Sequence, residues 1–268
     1  VETGITVTFQ GNFTNQNAGT INNNGIVTLP GNWTNNAANG VFTANTGTAS
    51  FLGTAAQSVG GSNSTDFSGL TINNTSGTGV TLNRSANVSA ALTLTTGLVY
   101  TTTANILTMN AGSSNGAISY SSFVSGPMRK IGTTGYLFPV GKDALTRPIS
   151  IENISASETF TAQYFHNSPD TANPSDPSAP YAVSSKDASL HHVSTAEYWI
   201  LTRAGAQNAN VRLSWDSYSE GVDDLADVVV ARWNGTTWKD EGSGGTTGVV
   251  DPGRGTVVSA AASARTCS

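Results

Sequence analysis

Charge is scarce in this chain. Only 11% of its 268 residues are Asp, Glu, Lys or Arg, against about 25% in an ordinary soluble domain. Hydroxyls and amides, rather than ions, must therefore keep much of the surface in water. Cysteine is nearly missing. The single Cys267 cannot form an internal disulfide, so the fold must rest on its core and its backbone ladders. No run of 18 apolar residues occurs, so no apolar segment is long enough to be read as a membrane span. The net charge is −5, the sequence pI is about 5.0 and basic residues do not cluster. Nucleic acid is thereby excluded as an expected partner.

The polar residues that are present are mostly Gly, Ser, Thr and Asn. Thr and Val fit a pleated, half-buried strand, whereas Asn and Gly tolerate the backbone of tight turns. The long charged side chains that usually cover helices are few. These preferences predict an all-β protein. The length allows one large or two ordinary domains. The chain opens on Val1-Glu2-Thr3-Gly4, as a processed export product would and as a piece of a longer chain equally would.

Charge also divides the chain. Residues 1 to 125 contain only Glu2, Asp66 and Arg84, while the other 26 charged residues lie from Arg129 onward. Pro30 is the only proline before Pro127. The shift predicts two domains, 1–126 and 127–268.

The first domain reads as short strands punctuated by Gly and Asn. Gly4-Ile5-Thr6-Val7-Thr8-Phe9 leads into Gly11-Asn12-Phe13-Thr14-Asn15, and Gly25-Ile26-Val27-Thr28-Leu29 into Gly31-Asn32-Trp33-Thr34-Asn35, an offset of 20 residues. Looser copies follow at Leu70-Thr71-Ile72-Asn73, Val80-Thr81-Leu82-Asn83, Leu92-Thr93-Leu94-Thr95 and Ile106-Leu107-Thr108-Met109. Repeats of about 20 residues built from such strands predict a β-solenoid, because one coil cannot bury its apolar face alone. Stacked coils put Ile, Val, Leu and Phe in columns inside and neutral Thr, Ser and Asn in columns outside. Columns of like charge would repel, which accounts for the missing ions. The irregular spacing after residue 50 also fits a β-sandwich or a flattened β-roll.

In the second domain, Tyr136–Val140, Ile149–Ile151, Thr159–Phe165, Tyr198–Thr202, Val211–Trp215, Val228–Trp233 and Thr256–Val258 alternate like strands between turn residues. This spacing predicts an antiparallel β-sandwich. Asn167 to Pro180, rich in Pro, Asp, Ser and Ala, is expected to be a surface loop.

Several of these segments carry a family likeness. Gly31-Asn32-Trp33-Thr34-Asn35, Gly40-Val41-Phe42-Thr43-Ala44-Asn45-Thr46-Gly47-Thr48, Ala56-Gln57-Ser58-Val59-Gly60-Gly61 and Phe67-Ser68-Gly69-Leu70-Thr71-Ile72-Asn73-Asn74 are followed by Val124-Ser125-Gly126-Pro127-Met128-Arg129-Lys130. Tyr136-Leu137-Phe138-Pro139-Val140-Gly141, Arg147-Pro148-Ile149 and Val230-Ala231-Arg232-Trp233-Asn234-Gly235-Thr236-Thr237-Trp238 complete the order. The chain resembles the large, repetitive, adhesin-like surface proteins of Bacteroidota. That resemblance implies an extracellular or cell-surface location and export by the type IX route. The family pattern continues past the equivalent of Thr256-Val257-Val258 with a further strand, which the tail from Ser259 to Ser268 does not supply. Either a sorting tail was cleaved, or the sequence is a fragment, or a partner supplies the strand.

Chemistry-bearing residues are sparse. A solenoid enzyme acting on polysaccharide needs several convergent acids or bases on one face, and three charges in 125 residues do not provide them. A non-enzymatic role is expected. His191 and His192 near Glu197 are adjacent, so on a strand they would face opposite ways and would not meet at one ion. His166 stands alone. Asp216, Glu220, Asp223, Asp224 and Asp227 crowd around Gly221. They form either a solvated acidic loop or a Ca²⁺ site, since Ca²⁺ takes six to eight oxygens. Trp199, Trp215, Trp233 and Trp238 offer either core or a glycan platform. Trp215 and Trp233 fall in strand patterns and read as core, while Trp238, just past a turn, is the exposed candidate. Asp170-Thr171-Ala172 is similar to the O-glycosylation pattern associated with Bacteroidota, and places Thr171 in the predicted loop.

The expected function is an extracellular structural or adhesive protein that assembles with copies of itself, head to tail, into a surface filament. The Ile5, Val7 and Phe9 segment is the candidate assembly strand, donated to a neighbour or stacked on it. The alternative is a carbohydrate-binding module of a larger surface protein, with a glycan or another cell surface as its partner.

Overall fold

The computed structural model describes all residues except 17–20, 38–41, 44, 117–118, 261 and 263–268. The chain divides into two compact units, Val1–Gly132 and Thr133–Ser268. The division lies a few residues beyond the composition shift, because Val124–Ser125 and Met128–Gly132 pair in parallel with strands of the preceding coil. The first charged residues after the neutral stretch, Arg129 and Lys130, thus belong to the last coil.

The first unit is a β-solenoid with three faces, not a sandwich or roll. The first face stacks Thr6–Thr8, Ile26–Leu29, Thr48–Phe51, Gly69–Asn73, Ala91–Thr96 and Ser114–Asn115 in parallel. The second stacks Phe13–Asn15, Trp33–Asn35, Gln57–Gly60, Val80–Leu82, Val99–Tyr100 and Val124–Ser125. On the third face Thr65–Phe67, Ala86–Val88, Leu107–Met109 and Met128–Gly132 form one ladder, and Ile21–Asn22 pairs with Phe42–Thr43 in the two earliest coils. Each coil contributes one strand per face.

The alternation seen in the sequence becomes columns. Val27, Ala49, Leu70 and Leu92 are aligned by register and buried, as are Leu29, Phe51, Ile72 and Leu94. On the third face Phe67, Val88 and Met109 line up, and Lys130 ends the column. An aromatic chain links the early coils: Phe9 to Phe13 at 5.1 Å, Phe13 to Trp33 at 4.2 Å and Trp33 to Phe67 at 5.2 Å between ring centres. Burying one large apolar side chain contributes about 1.5–3 kcal/mol, and here each also forms the floor for the next coil.

At the corners, buried amides take over. Asn35 Nδ2 donates to the Ser64 carbonyl at 2.7 Å, and Gln57 Nε2 donates to the carbonyls of Leu29 at 3.1 Å and Gly31 at 2.6 Å. Asn74 Nδ2 donates to the Ala55 carbonyl at 2.8 Å and to Gln57 Oε1 at 2.9 Å. These bonds satisfy carbonyls that leave the ladder where the chain turns. Gly61 sits at φ +113° with the Asn35 carbonyl oxygen 2.2 Å from where a Cβ would be, so no other residue fits that corner.

In the second unit the strand pairs are antiparallel. A five-stranded sheet runs Tyr136–Phe138, Ile149–Glu152, Asn210–Asp216, Arg254–Val258, Gly245–Gly248 in spatial order. Glu158–Phe165 pairs with Tyr198–Arg203, Ala231–Trp233 with Trp238–Asp240, and Gly141–Lys142 with Leu145–Thr146. One expectation is corrected here: residues 228–230 are not strand, and Ala231–Trp233 is the short remainder. The expected strand at Thr256-Val257-Val258 is present and paired on both sides within its own sheet.

Candidate functional site

Three places in the molecule gather the residues that could carry function. The first is the leading coil of the solenoid. Thr6–Thr8 is the outermost strand of the first face and pairs with Ile26–Leu29 through Thr6↔Ile26, Val7↔Val27 and Thr8↔Thr28. The segment is therefore the first rung of its own ladder. Among the described residues its other edge has no strand paired to it, which is the template that edge strands offer to a neighbour. Val7 heads the column that continues in Val27 but is 37% exposed, and Ile5 is 50% exposed. Phe9 is half-buried against Phe13. Neighbouring coils cover the equivalent side chains elsewhere, as at Val27 and Leu29.

The opposite end of one column is closed differently. Lys130 is buried where Phe67, Val88 and Met109 lead, and its Nζ donates to the carbonyls of Asn110 and Ser113, both at 2.8 Å, and to Ser113 Oγ at 2.9 Å. Burial pulls its pKa below the usual lysine value. A lysine stem finishes the apolar column while three oxygens receive its three N–H groups. The two positions differ in kind: Lys130 brings a satisfied polar group into a column of the third face, and Val7 stands exposed at the head of a column of the first.

The second place is an ion cluster in the second unit. Arg147 and Glu197 are buried, with Arg147 Nε donating to Glu197 Oε2 at 2.7 Å. Arg147 Nη1 donates to Asp216 Oδ2 at 2.7 Å, and Nη2 to Asp216 Oδ1. Tyr164 Oη donates to Glu197 Oε2 at 2.6 Å, and Ser219 Oγ donates to Glu197 Oε1. Trp199 Nε1 donates to the Arg147 carbonyl at 3.0 Å. Burial opposes the charge on Arg147, but Asp216 and Glu197 raise its pKa overall. Burial likewise pushes Asp216 up, and the bonds from Arg147 and the Tyr218 N–H outweigh it, so its carboxyl stays below the usual range. Burial, then Glu197, push the Tyr164 phenol far above its ordinary value. Each carboxylate oxygen has a donor, and the arrangement holds four chain segments together.

This cluster decides the fate of the acidic loop. Asp216 is committed to Arg147. Glu220 accepts from the Thr195 N–H at 2.8 Å and from its hydroxyl. Asp224 caps the Ala226 N–H at 2.8 Å, and Asp223 and Asp227 are exposed. The five carboxylates do not converge, and among the described residues no group of three or more His, Cys, Asp or Glu is placed to hold a metal ion. Arginine and hydroxyl partners reach Asp216 and Glu220 from distant segments, and the solvated-loop reading describes Asp223, Asp224 and Asp227. His191 and His192 are exposed, and His166 Nδ1 lies 3.1 Å from Asp143 Oδ2.

The third place is aromatic. Trp238, expected to be exposed, is fully buried. It packs with Phe165, Tyr181, Leu190, Val193 and Tyr198, and its Nε1 donates to the Tyr181 carbonyl at 3.4 Å. The turn before it, Asn234 to Thr237, folds back and tucks the ring inward. Trp215 is core as expected, while Trp233 is only half-buried, 5.6 Å from Trp238 and 5.9 Å from Tyr181. Beneath the cluster the buried Asp176 accepts from Tyr198 Oη at 3.1 Å. Asp176 lies in the predicted loop, which has no strand and exposes Thr171. No family model matches the chain, and neither the curated proteins nor the solved structures contain a match.

Proposed function

We propose that the protein is an extracellular structural and adhesive protein of a cell surface, associating head to tail into filaments through the leading coil of its solenoid. The observation that carries this reading is the open column at Val7, exposed beside an unpaired strand edge. Stacking a further β layer on that edge would continue the ladder at about 4.8 Å per step and cover Ile5, Val7 and Phe9. In the second unit Gly245–Gly248 forms an outer edge of the five-stranded sheet among the described residues, a second strand edge of different sequence. Two unlike surfaces give a heterologous contact, which propagates when it does not close. The resemblance to Bacteroidota adhesin-like proteins supports the location, and the neutral hydroxyl surface suits close packing of copies.

The test is association of the purified protein as its concentration rises, followed by light scattering. The reading predicts growth in mass for the wild type and a monomer for Val7→Lys, which places an ion in the contact. Equal growth of both would reject the leading coil as the contact. The carbohydrate-binding alternative now rests on half-buried Trp233, not Trp238. It predicts saturable glycan binding that Trp233→Ala removes.

A further inference from the structure

Asparagine precedes glycine four times in the chain, at Asn24, Asn39, Asn115 and Asn234. Such a pair can rearrange, because glycine has no Cβ to shield its backbone nitrogen from the asparagine amide. Asn39 and Gly40 lie outside the described residues. The other three pairs differ in what the glycine N–H does. Gly25 is buried, and its N–H donates to Asn23 Oδ1 at 3.2 Å. The Gly116 N–H donates to the Leu92 carbonyl at 2.8 Å, next to the Asn115↔Leu92 pair of the ladder. Gly235 is exposed, with nothing within 4 Å of where a Cβ would stand. Among the described residues its N–H has no hydrogen-bond partner.

The asparagine of this last pair is also held in a particular way. Asn234 Oδ1 accepts from the Thr236 N–H at 3.0 Å, the Thr237 N–H at 2.9 Å and the Thr236 hydroxyl at 3.1 Å. Donors gathered on one carbonyl oxygen stabilise negative charge that develops there. Bonds to residues two and three positions on also fold the amide over the peptide that follows it. The turn itself is fixed. Trp233 pairs with Trp238, the Asn234 N–H donates to the Thr237 carbonyl at 3.1 Å, and Ser185 Oγ donates to the Thr236 carbonyl at 2.8 Å. A polarised amide and an unengaged backbone nitrogen are thus held side by side in water.

We propose that the Asn234-Gly235 turn is a self-modifying site, with water as its only co-reactant. The Gly235 nitrogen gives its proton to solvent and attacks Asn234 Cγ. The Cγ–Nδ2 bond breaks, ammonia leaves and a five-membered imide closes. Water then opens the imide. Cleavage between Cγ and the Gly235 nitrogen leaves an aspartate on an ordinary backbone. Cleavage at the main-chain carbonyl instead routes the chain through Cγ. In sum one amide and one water become one carboxylate and one ammonium, and nothing is oxidised or reduced. The aspartate keeps an oxygen under all three donors, which a charge strengthens. The rerouted product would add a methylene to a tight turn between paired tryptophans, so the folded hairpin favours the aspartate. The outcome is one new negative charge beside half-buried Trp233. The inference depends on this turn alone and stands apart from filament assembly.

The experiment holds the full chain in mildly alkaline buffer, samples it over time and digests it at mildly acidic pH. Mass spectrometry then follows the peptides that contain Asn24, Asn115 and Asn234. The Asn234 peptide should show amide-to-acid conversion about tenfold or more faster than the other two, given what oxyanion donors contribute, and faster still at higher pH, because the nucleophile must lose a proton. In urea all three peptides should convert at similar rates, since their glycine N–H groups are then equally free. Thr236→Val, which removes only the hydroxyl donor, should slow conversion of Asn234 severalfold while near-UV circular dichroism of the tryptophans stays as in the wild type. Conversion of Asn24 or Asn115 as fast as Asn234 in the folded chain overturns the proposal. So does a lead of Asn234 that persists unchanged in urea.

Discussion

At the residue scale, the strongest commitments are made by buried ions. Arg147→Met leaves Glu197 buried without its cation, and breaking such a pair costs about 3–5 kcal/mol, to be read from urea unfolding. Asp216 and Glu158 sharpen the expectation with pH. Burial pushes Glu158 up, but the N–H groups of Thr159, Gln207 and Gly205 hold it below the usual carboxylate range, as Arg147 does for Asp216. A carboxylate depressed in the folded state adds stability above its unfolded pKa of about 4 and loses it as pH falls through the folded value. Wild-type stability should therefore drop below about pH 4, and Arg147→Met should drop less, having already lost the contribution of Asp216. Lys130 follows the same sign in the alkaline range. Its lowered pKa means the unfolded chain binds more protons at alkaline pH, so the wild type should gain stability relative to Lys130→Met as pH rises towards about 10.4. None of these partners was legible beforehand. Arg147 lies 50 residues from Glu197 and 69 from Asp216, and nothing local links them. The acidic loop could be read only as a cluster, and its most important member was claimed from outside it.

At the element scale, neutrality of the outer columns has a measurable consequence. Asn87 Nδ2 donates to Asp66 Oδ1 at 2.6 Å across the third face. Asn87→Asp would set two carboxylates opposite each other, which destabilises by about 0.2–1 kcal/mol. The loss of Tm should shrink in high salt, because exposed charges are screened. A deletion inside should be costlier and indifferent to salt: Leu107→Ala, fully buried on the third face, is expected to cost about 2–5 kcal/mol. The strands themselves were readable because alternation marks them residue by residue. The stacking was readable only where copies were near-identical, as at Phe13-Thr14-Asn15 and Trp33-Thr34-Asn35. Later coils hide their period because the insertions sit in the corners flanking the second face. There Trp33 meets Val59 and Val80 meets Val99, offsets of 26 and 19. The third face keeps a steady 21 from Thr65 to Ala86 to Leu107 to Met128, yet its strands share almost no letters. Trp238 was misread for a related reason: a tight turn beside a residue says where the chain bends, not which way the ring points.

At the scale of the whole molecule, the first unit is built by repetition, and repetition leaves ends. The core columns have no natural stopping point in their own chemistry, since each layer exposes the surface on which the next can pack. Lys130 brings into one column a buried amine bonded to three oxygens. No such group covers Val7 among the described residues, and the Thr6–Thr8 edge remains unpaired. That contrast is what the proposed assembly through the leading coil rests on. The most direct measurement is electron microscopy of concentrated wild-type protein beside Val7→Lys. Filaments of the wild type with one regular subunit repeat, and isolated particles of Val7→Lys, are the predicted result. Isolated wild-type particles at every concentration, or filaments of unchanged repeat in both, would contradict it.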